Sequence, residues 1–221
     1  MKKNKWNQNH ADVIQARKRV ENIIDEITPD ELVAAVKKAP SLRGMIMGYI
    51  SELKFFNYVQ NFDVKGLYRP DDHNREENKA DLCFDYKGKR VRVQLKSIQT
   101  NSIKRSEENG KIYATVQNDA SDRRKILLPS GETVETTNYK VGDYDVLAVP
   151  LYPFCGKWDF AYLLNTNCRH TTNNKYTDSQ KQHLLATTET ITFPLSPPWT
   201  KNLVEILERY ISNKKAEGDQ S

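Results

Sequence analysis

A chain of 221 residues, 38% of them apolar and 29% charged, can bury one α/β core beneath a large solvated surface, and its net charge of +5 suits a polyanionic partner without identifying one. The three cysteines, Cys83, Cys155 and Cys168, have no framework spacing, which argues against a disulfide scaffold. The lysines of MKKNKWNQNH precede no apolar signal core, and no stretch nears the roughly 20 apolar residues of a membrane span, so a soluble, cytoplasmic protein is expected.

Val13, Ala16, Val20, Ile23, Ile24 and Ile27 recur at helical spacing and predict a first helix from His10 to Ile27. Thr28-Pro29-Asp30-Glu31 opens a second, running to about Ala39, with Thr28 as N-cap, Pro29 as first helical residue and Glu31 completing a capping box. A third helix is expected from Pro40 to about Gln60. It carries Glu52, whose helical neighbours Gly48, Tyr49, Leu53 and Phe56 set it on or beside the apolar stripe. A carboxylate there is paired, bound to a metal, or reaching for solvent.

Val64–Arg69 reads as a short strand and Pro70–Asn78 as a polar loop. Two runs of period two follow, Ala80–Tyr86 and Arg90–Ser97, with Lys87-Gly88 between them as the turn of a β-hairpin. Further strands are expected at Lys111–Val116, Tyr144–Pro150, Trp158–Leu164 and Ile191–Leu195, with a small hairpin around Pro129-Ser130-Gly131. Tyr144–Pro150 is almost continuously apolar, as in a buried strand. Thr166–Thr188 reads as an exposed Asn/Thr-rich loop with a short helix near Asp178–Leu185. A C-terminal helix follows at Leu203–Ile211, and the tail from Asn213 is expected to fray. This order predicts a single α/β domain: a helical elaboration over 1–40, a mixed sheet flanked by helices over 41–165, and a polar loop and closing helix over 166–221.

Within the hairpin, Val91, Val93 and Leu95 point to one face of the second strand and Arg92, Gln94 and Lys96 to the other. A two-residue turn pairs Tyr86 with Lys89 and sets Asp81 opposite Gln94, with Cβ atoms roughly 5 Å apart. A three-residue turn would exchange the faces. Gly88 favours the shorter turn, because primed turns need positive φ. Asp81, the Gln94 amide oxygen and the Leu95 carbonyl could then supply oxygen ligands to a hard divalent cation, with Lys96 beside them to orient a water and contact a phosphate. Glu52 could add a carboxylate. From periodicity alone the plainer reading, an ordinary polar strand face, would win.

The set Glu52 in GYISELKFF, Asp81 in ADLCFDY and Gln94-Leu95-Lys96 in VRVQLKS resembles the PD-(D/E)xK nuclease superfamily, in which a helix bears a Glu, one strand an Asp and the next an (E/D/Q)xK tripeptide. It looks most like the QxK branch, which includes group I intron-encoded homing endonucleases and restriction-type enzymes. DYDVLAVPLYPFCGKWDFAYLL resembles the strand pair that follows the motif there. The resemblance covers about 44–97 and 143–164. It implies a restriction-endonuclease-like core, a mixed central β-sheet flanked by helices, with extra N-terminal helices. It also implies an Mg²⁺-dependent endodeoxyribonuclease in which Asp81, Gln94, Leu95 and Glu52 bind the metal, Mn²⁺ can substitute, and Glu52, Asp81, Gln94 and Lys96 carry catalysis. Gln94 departs from the commoner acidic residue, so the alternative is a weak or inactive nuclease-fold module that holds DNA or a partner protein.

Asp72 in Pro70-Asp71-Asp72 spells the motif literally but sits in the polar loop, and Asp85 reads as a partner for Lys89 or Arg90 at the turn. Cys155, Cys168, His170 and His183 run C-x12-C-x-H-x12-H, which lacks the close cysteine pair of a zinc module. Double-stranded DNA is the expected partner, with Arg69, Arg75, Lys79, Arg123, Arg124, Lys125, Arg169 and Lys175 as candidate contacts. Cutting two strands with one site per chain implies a dimer or tetramer.

Overall fold

The computed structural model describes residues 11–70 and 80–218, which fall in two compact units, one within Met1–Ile46 and one within Met47–Ser221. In the first, the expected opening helix divides into α1 (Ala11–Glu21) and α2 (Ile23–Glu26). The break is at Asn22, whose polar side chain is a poor helix former. α3 (Pro29–Lys38) begins with the predicted capping box: the Thr28 hydroxyl accepts from the Glu31 N–H at 3.3 Å, and the Glu31 carboxylate accepts from the Thr28 N–H at 2.8 Å. It stops at Ala39 because the residue before a proline is pushed to extended backbone (φ −118°, ψ 94°). α4 (Pro40–Val59) begins in this unit, and its buried positions, Ser51, Phe55 and Val59, belong to the second.

The second unit is mixed α/β. Its strands are β1 (Lys65–Tyr68), β2 (Leu82–Tyr86), β3 (Lys89–Leu95), β4 (Lys104–Arg105), β5 (Ile112–Gln117), β6 (Asp119–Leu127), β7 (Thr133–Asn138), β8 (Val146–Pro150), β9 (Phe160–Leu164) and β10 (Thr188–Phe193). Short helices α5 (Tyr152–Cys155) and α6 (Asp178–Lys181) interrupt them, and α7 (Leu203–Gly218) closes the chain, continuing as helix through the stretch expected to fray. A central five-stranded sheet runs in the order β1-β2-β3-β8-β9, antiparallel except between β3 and β8. Parallel neighbours need a long crossover. Here the crossover consists of strands: β4 and β5 join β10 in a three-stranded sheet, and β6 pairs with β7.

Every residue of β8 and β9 is buried, as the apolar run predicted, because both sheet faces are covered. Val146, Ala148, Phe160, Tyr162 and Leu164 pack against Phe55 and Val59 of α4 and Leu203, Ile206 and Leu207 of α7. Their alternates Leu147, Val149, Ala161 and Leu163 pack against Ala114, Val116, Tyr139, Tyr144, Ile191 and Trp199. Helices therefore cover one face, and the second layer of strands covers the other, where flanking helices were expected. The 166–188 segment is likewise more than an exposed loop. Tyr176 and Leu184 join Ile126 and Leu128 in a small third core, and Asn138 Nδ2 donates to the Leu185 carbonyl at 2.6 Å. These anchors are single apolar residues in a polar stretch, without the periodicity that would have marked them. Among the described residues, no helix is long and apolar enough to cross a membrane.

The hairpin turn has φ of 48° at Lys87 and 76° at Gly88, the positive values of a type I′ turn, so the two-residue register holds. A side chain at position 88 would be forced into the left-handed region. Gly88→Ala should cost about 1–2 kcal/mol, read as a lower urea midpoint at unchanged m-value.

Candidate active site

The register pairs Tyr86 with Lys89, Asp85 with Arg90, Phe84 with Val91, Cys83 with Arg92 and Leu82 with Val93. Asp81 lies at a bend just before β2, its N–H donating to the Val93 carbonyl at 3.0 Å. Its carboxylate caps the end of the hairpin. Asp81 Oδ2 accepts from the Leu95 N–H at 2.7 Å and from Gln94 Nε2. Gln94 sits beside Leu147 in the parallel register, on the face covered by the second layer, and is 3% exposed. The predicted patch of sheet is thus assembled, with Gln94 buried and Asp81 and Lys96 half-buried. Gln94 Oε1 is itself buried and has no hydrogen-bond partner among the described residues.

Lys96 follows the last residue of β3. Its N–H donates to the Ala148 carbonyl at 3.1 Å, and its ammonium donates to the Asp119 carbonyl at 2.8 Å and lies 5.4 Å from the centre of the Tyr139 ring. Burial pulls the Lys96 pKa below the usual lysine value. The charges of Asp81 and Asp119 oppose that shift, Arg124 reinforces it, and Glu52 opposes it least. The Tyr139 phenol is pushed up, first by burial and then by the negative charge of Asp81, so it stays neutral at working pH.

Glu52 sits half-buried on α4, paired with Arg69 at 2.5 Å, and was expected on or beside the apolar stripe. The stripe is rotated from the sequence reading: Ser51, Phe55 and Val59 are buried, while Tyr49 and Leu53 are 56% and 50% exposed. Glu52 is therefore at the stripe's edge. Arg92, assigned by alternation to the face of Gln94 and Lys96, has a scaffold role instead. It holds Asp145 through Nε and Nη2 at 3.1 and 3.0 Å and donates to the Asp143 and Gly142 carbonyls. Asp85 pairs with Arg90 at 2.8 Å, as the turn geometry suggested.

Of the candidate nucleic-acid contacts, Arg75 and Lys79 lie outside the described residues, as do Asp71, Asp72 and His10. Arg69 is engaged by Glu52. Strand alternation turns Arg123 and Lys125 of β6 outward and Arg124 inward, where its guanidinium meets Asp143 at 3.2 Å. Arg169 is held by the buried Glu189, and exposed Lys175 lies 4.6 Å from the Tyr176 ring centre. Arg169 and Lys175 line a polar cleft of about 420 Å³ that none of Asp81, Gln94 and Lys96 lines. Cys83 and Cys168 are buried, and Cys155 ends α5. Among the described residues, no three His, Cys, Asp or Glu side chains converge to hold a metal.

Sequence reasoning missed Asp119 and Tyr139 altogether, and it treated Arg124 as an exposed contact. The signal for Arg124 was present in the period-two pattern of Arg123-Arg124-Lys125-Ile126. Asp119 and Tyr139 reach Lys96 only through the fold of the crossover.

No family model matches the chain, and no curated protein matches it. Among solved structures, the bacterial homing endonuclease I-Ssp6803I is similar over 63% of this chain and 87% of its own, at 17% identity and a TM-score of 0.35. A likeness of that size carries no argument about fold or chemistry, which rest on the residues themselves.

Arg92 and Lys96 should separate cleanly in stability. Arg92→Leu leaves Asp145, whose side chain is 7% exposed, without its cation and should cost about 3 kcal/mol. Lys96→Met removes a desolvated ammonium and should leave the thermal midpoint unchanged or raised.

Proposed function

We propose that this chain is a metal-dependent nuclease of the PD-(D/E)xK type, in its QxK form, that hydrolyses DNA phosphodiesters. The observation that carries the reading is the cap on the hairpin: one carboxylate, Asp81, held by the Leu95 N–H and the Gln94 amide, with the half-buried ammonium of Lys96 following in sequence. A lysine kept where burial disfavours its charge contributes little to stability, and such groups concentrate at functional sites.

The residues fit a hard divalent cation such as Mg²⁺, with Mn²⁺ as a substitute. Gln94 Oε1 is a buried oxygen with no partner among the described residues, and a cation would satisfy it. Within a strand a residue's N–H and C=O face the same neighbour, so the Leu95 carbonyl turns toward Asp81 along with its N–H. Asp81, Gln94 and the Leu95 carbonyl would hold the metal, with Glu52 as an outer carboxylate. When bound, the cation activates a water and offsets charge on the phosphate. Lys96 Nζ orients that water and contacts the phosphate.

Exposed Arg123 and Lys125 would contact the DNA backbone, and cleavage of both strands would take two copies of the chain. A second reading, a DNA-binding module without hydrolysis, is favoured by one observation: Glu52 is engaged by Arg69, and no acidic cluster joins Asp81 among the described residues.

Supercoiled plasmid incubated with Mg²⁺ or Mn²⁺ separates the two. The nuclease reading expects nicking or linearisation that stops on chelation and falls at least about a hundredfold in Asp81→Asn and in Lys96→Met. Cleavage by Lys96→Met at the parent rate would remove Lys96 from the mechanism. Salt-dependent binding without cleavage would favour the module.

A further inference from the structure

Strand β6 delivers two groups to the half-buried site. At its start the Asp119 carbonyl accepts from Lys96 Nζ at 2.8 Å, and five residues later Arg124 turns inward, its guanidinium carbon 5.1 Å from the centre of the same Tyr139 ring that Lys96 approaches. Arg124 is anchored through one nitrogen only. Nη2 donates to Asp143 Oδ2 at 3.2 Å and to the Asn138 carbonyl at 3.4 Å. Nε and Nη1, which together carry three N–H bonds, are buried and have no partner among the described residues. Buried donors on a charged group are costly when unmet. A scaffold arginine would have them satisfied, as Arg92 has through Nε, Nη1 and Nη2.

The geometry points to Arg124 as a substrate-binding residue that donates through Nε and Nη1 to a phosphate oxygen of the nucleic-acid backbone at the Asp81–Lys96 site. The inference rests on the nuclease reading for the identity of the anion, and it assigns the electrostatic half of the site. Asp81, Asp119 and Asp143 alone would repel a phosphodiester, whereas Lys96 and Arg124 beside Tyr139 supply two cations to offset them. It also distinguishes Arg124 from Arg123 and Lys125, which face outward and can serve only as peripheral contacts.

The test uses the parent protein labelled with ¹⁵N. The arginine Nε–H signals are followed during titration with inorganic phosphate, then with a short DNA duplex in Ca²⁺ to hold off cleavage, and the Arg124 signal is assigned as the one missing from Arg124→Lys. The expected result is a shift of the Arg124 signal with both probes. Arg124→Gln should bind duplex about tenfold more weakly and lower the slope of log affinity against log salt by about 1. If that variant fails to fold for want of the Asp143 pair, the signals of the parent decide alone. Movement of other arginine signals while Arg124 stays put overturns the inference, even if plasmid is cut. A shift at Arg124 with no cleavage in Mg²⁺ upholds the phosphate site and instead sinks the hydrolytic reading.

Discussion

The Asp81 carboxylate, accepting from the Leu95 N–H and the Gln94 amide, is the contact on which the site depends. It closes the hairpin at the end away from the turn, where β2 has stopped pairing and β3 runs on to meet β8. Two constraints make it possible. The type I′ turn at Lys87-Gly88 sets the register, and a slip of one residue would send Gln94 and Lys96 to the helical core and Leu95 to the second layer. The parallel pairing of β3 with β8 then fixes Gln94 against Leu147 and Leu95 against Ala148, whose carbonyl accepts from the Lys96 N–H. Local turn chemistry and a long-range strand pair thus converge on three consecutive residues.

Burial gives those residues their character. On an open sheet face, Gln94 and Lys96 would be ordinary solvated side chains. The crossover from β3 to β8 folds back as strands and puts Tyr139, Asp119 and Arg124 over them, which takes them partly out of water and strengthens the charge interactions there. Arg92, two residues before Gln94 on the same face, is fully spent on Asp145 and the 142–143 carbonyls. Gln94 Oε1 and Arg124 Nε and Nη1 have no such partners among the described residues. Asn118 Nδ2 and Asn165 Nδ2 share that lack, so an unmet partner gains meaning only beside the charges gathered around Lys96.

Much of this was legible in local pattern. The Thr28 capping box, the break before Pro40, the Lys87-Gly88 turn and the twice-buried β8 each follow from a few neighbouring residues, and each is where the pattern put it. What escaped depends on contacts distant in the chain. Nothing near Tyr139 announces Lys96. The 166–188 segment reads as loop because Tyr176 and Leu184 pack without periodicity. Glu52 was judged by the wrong apolar neighbours, since the buried face of α4 is set by Phe55 and Val59 against the sheet rather than by the exposed Tyr49 and Leu53. Asn22 broke a helix whose stripe looked continuous.

The central claim, that the capped hairpin end is a divalent-cation site, can be read without any substrate. Substoichiometric Mn²⁺ added to ¹⁵N-labelled protein broadens the backbone amides nearest the bound ion. The account predicts that the signals of Asp81, Leu95 and Lys96 broaden first, and that Asp81→Ala abolishes the effect. Sharp signals at these three, with broadening centred on acids elsewhere, would contradict it.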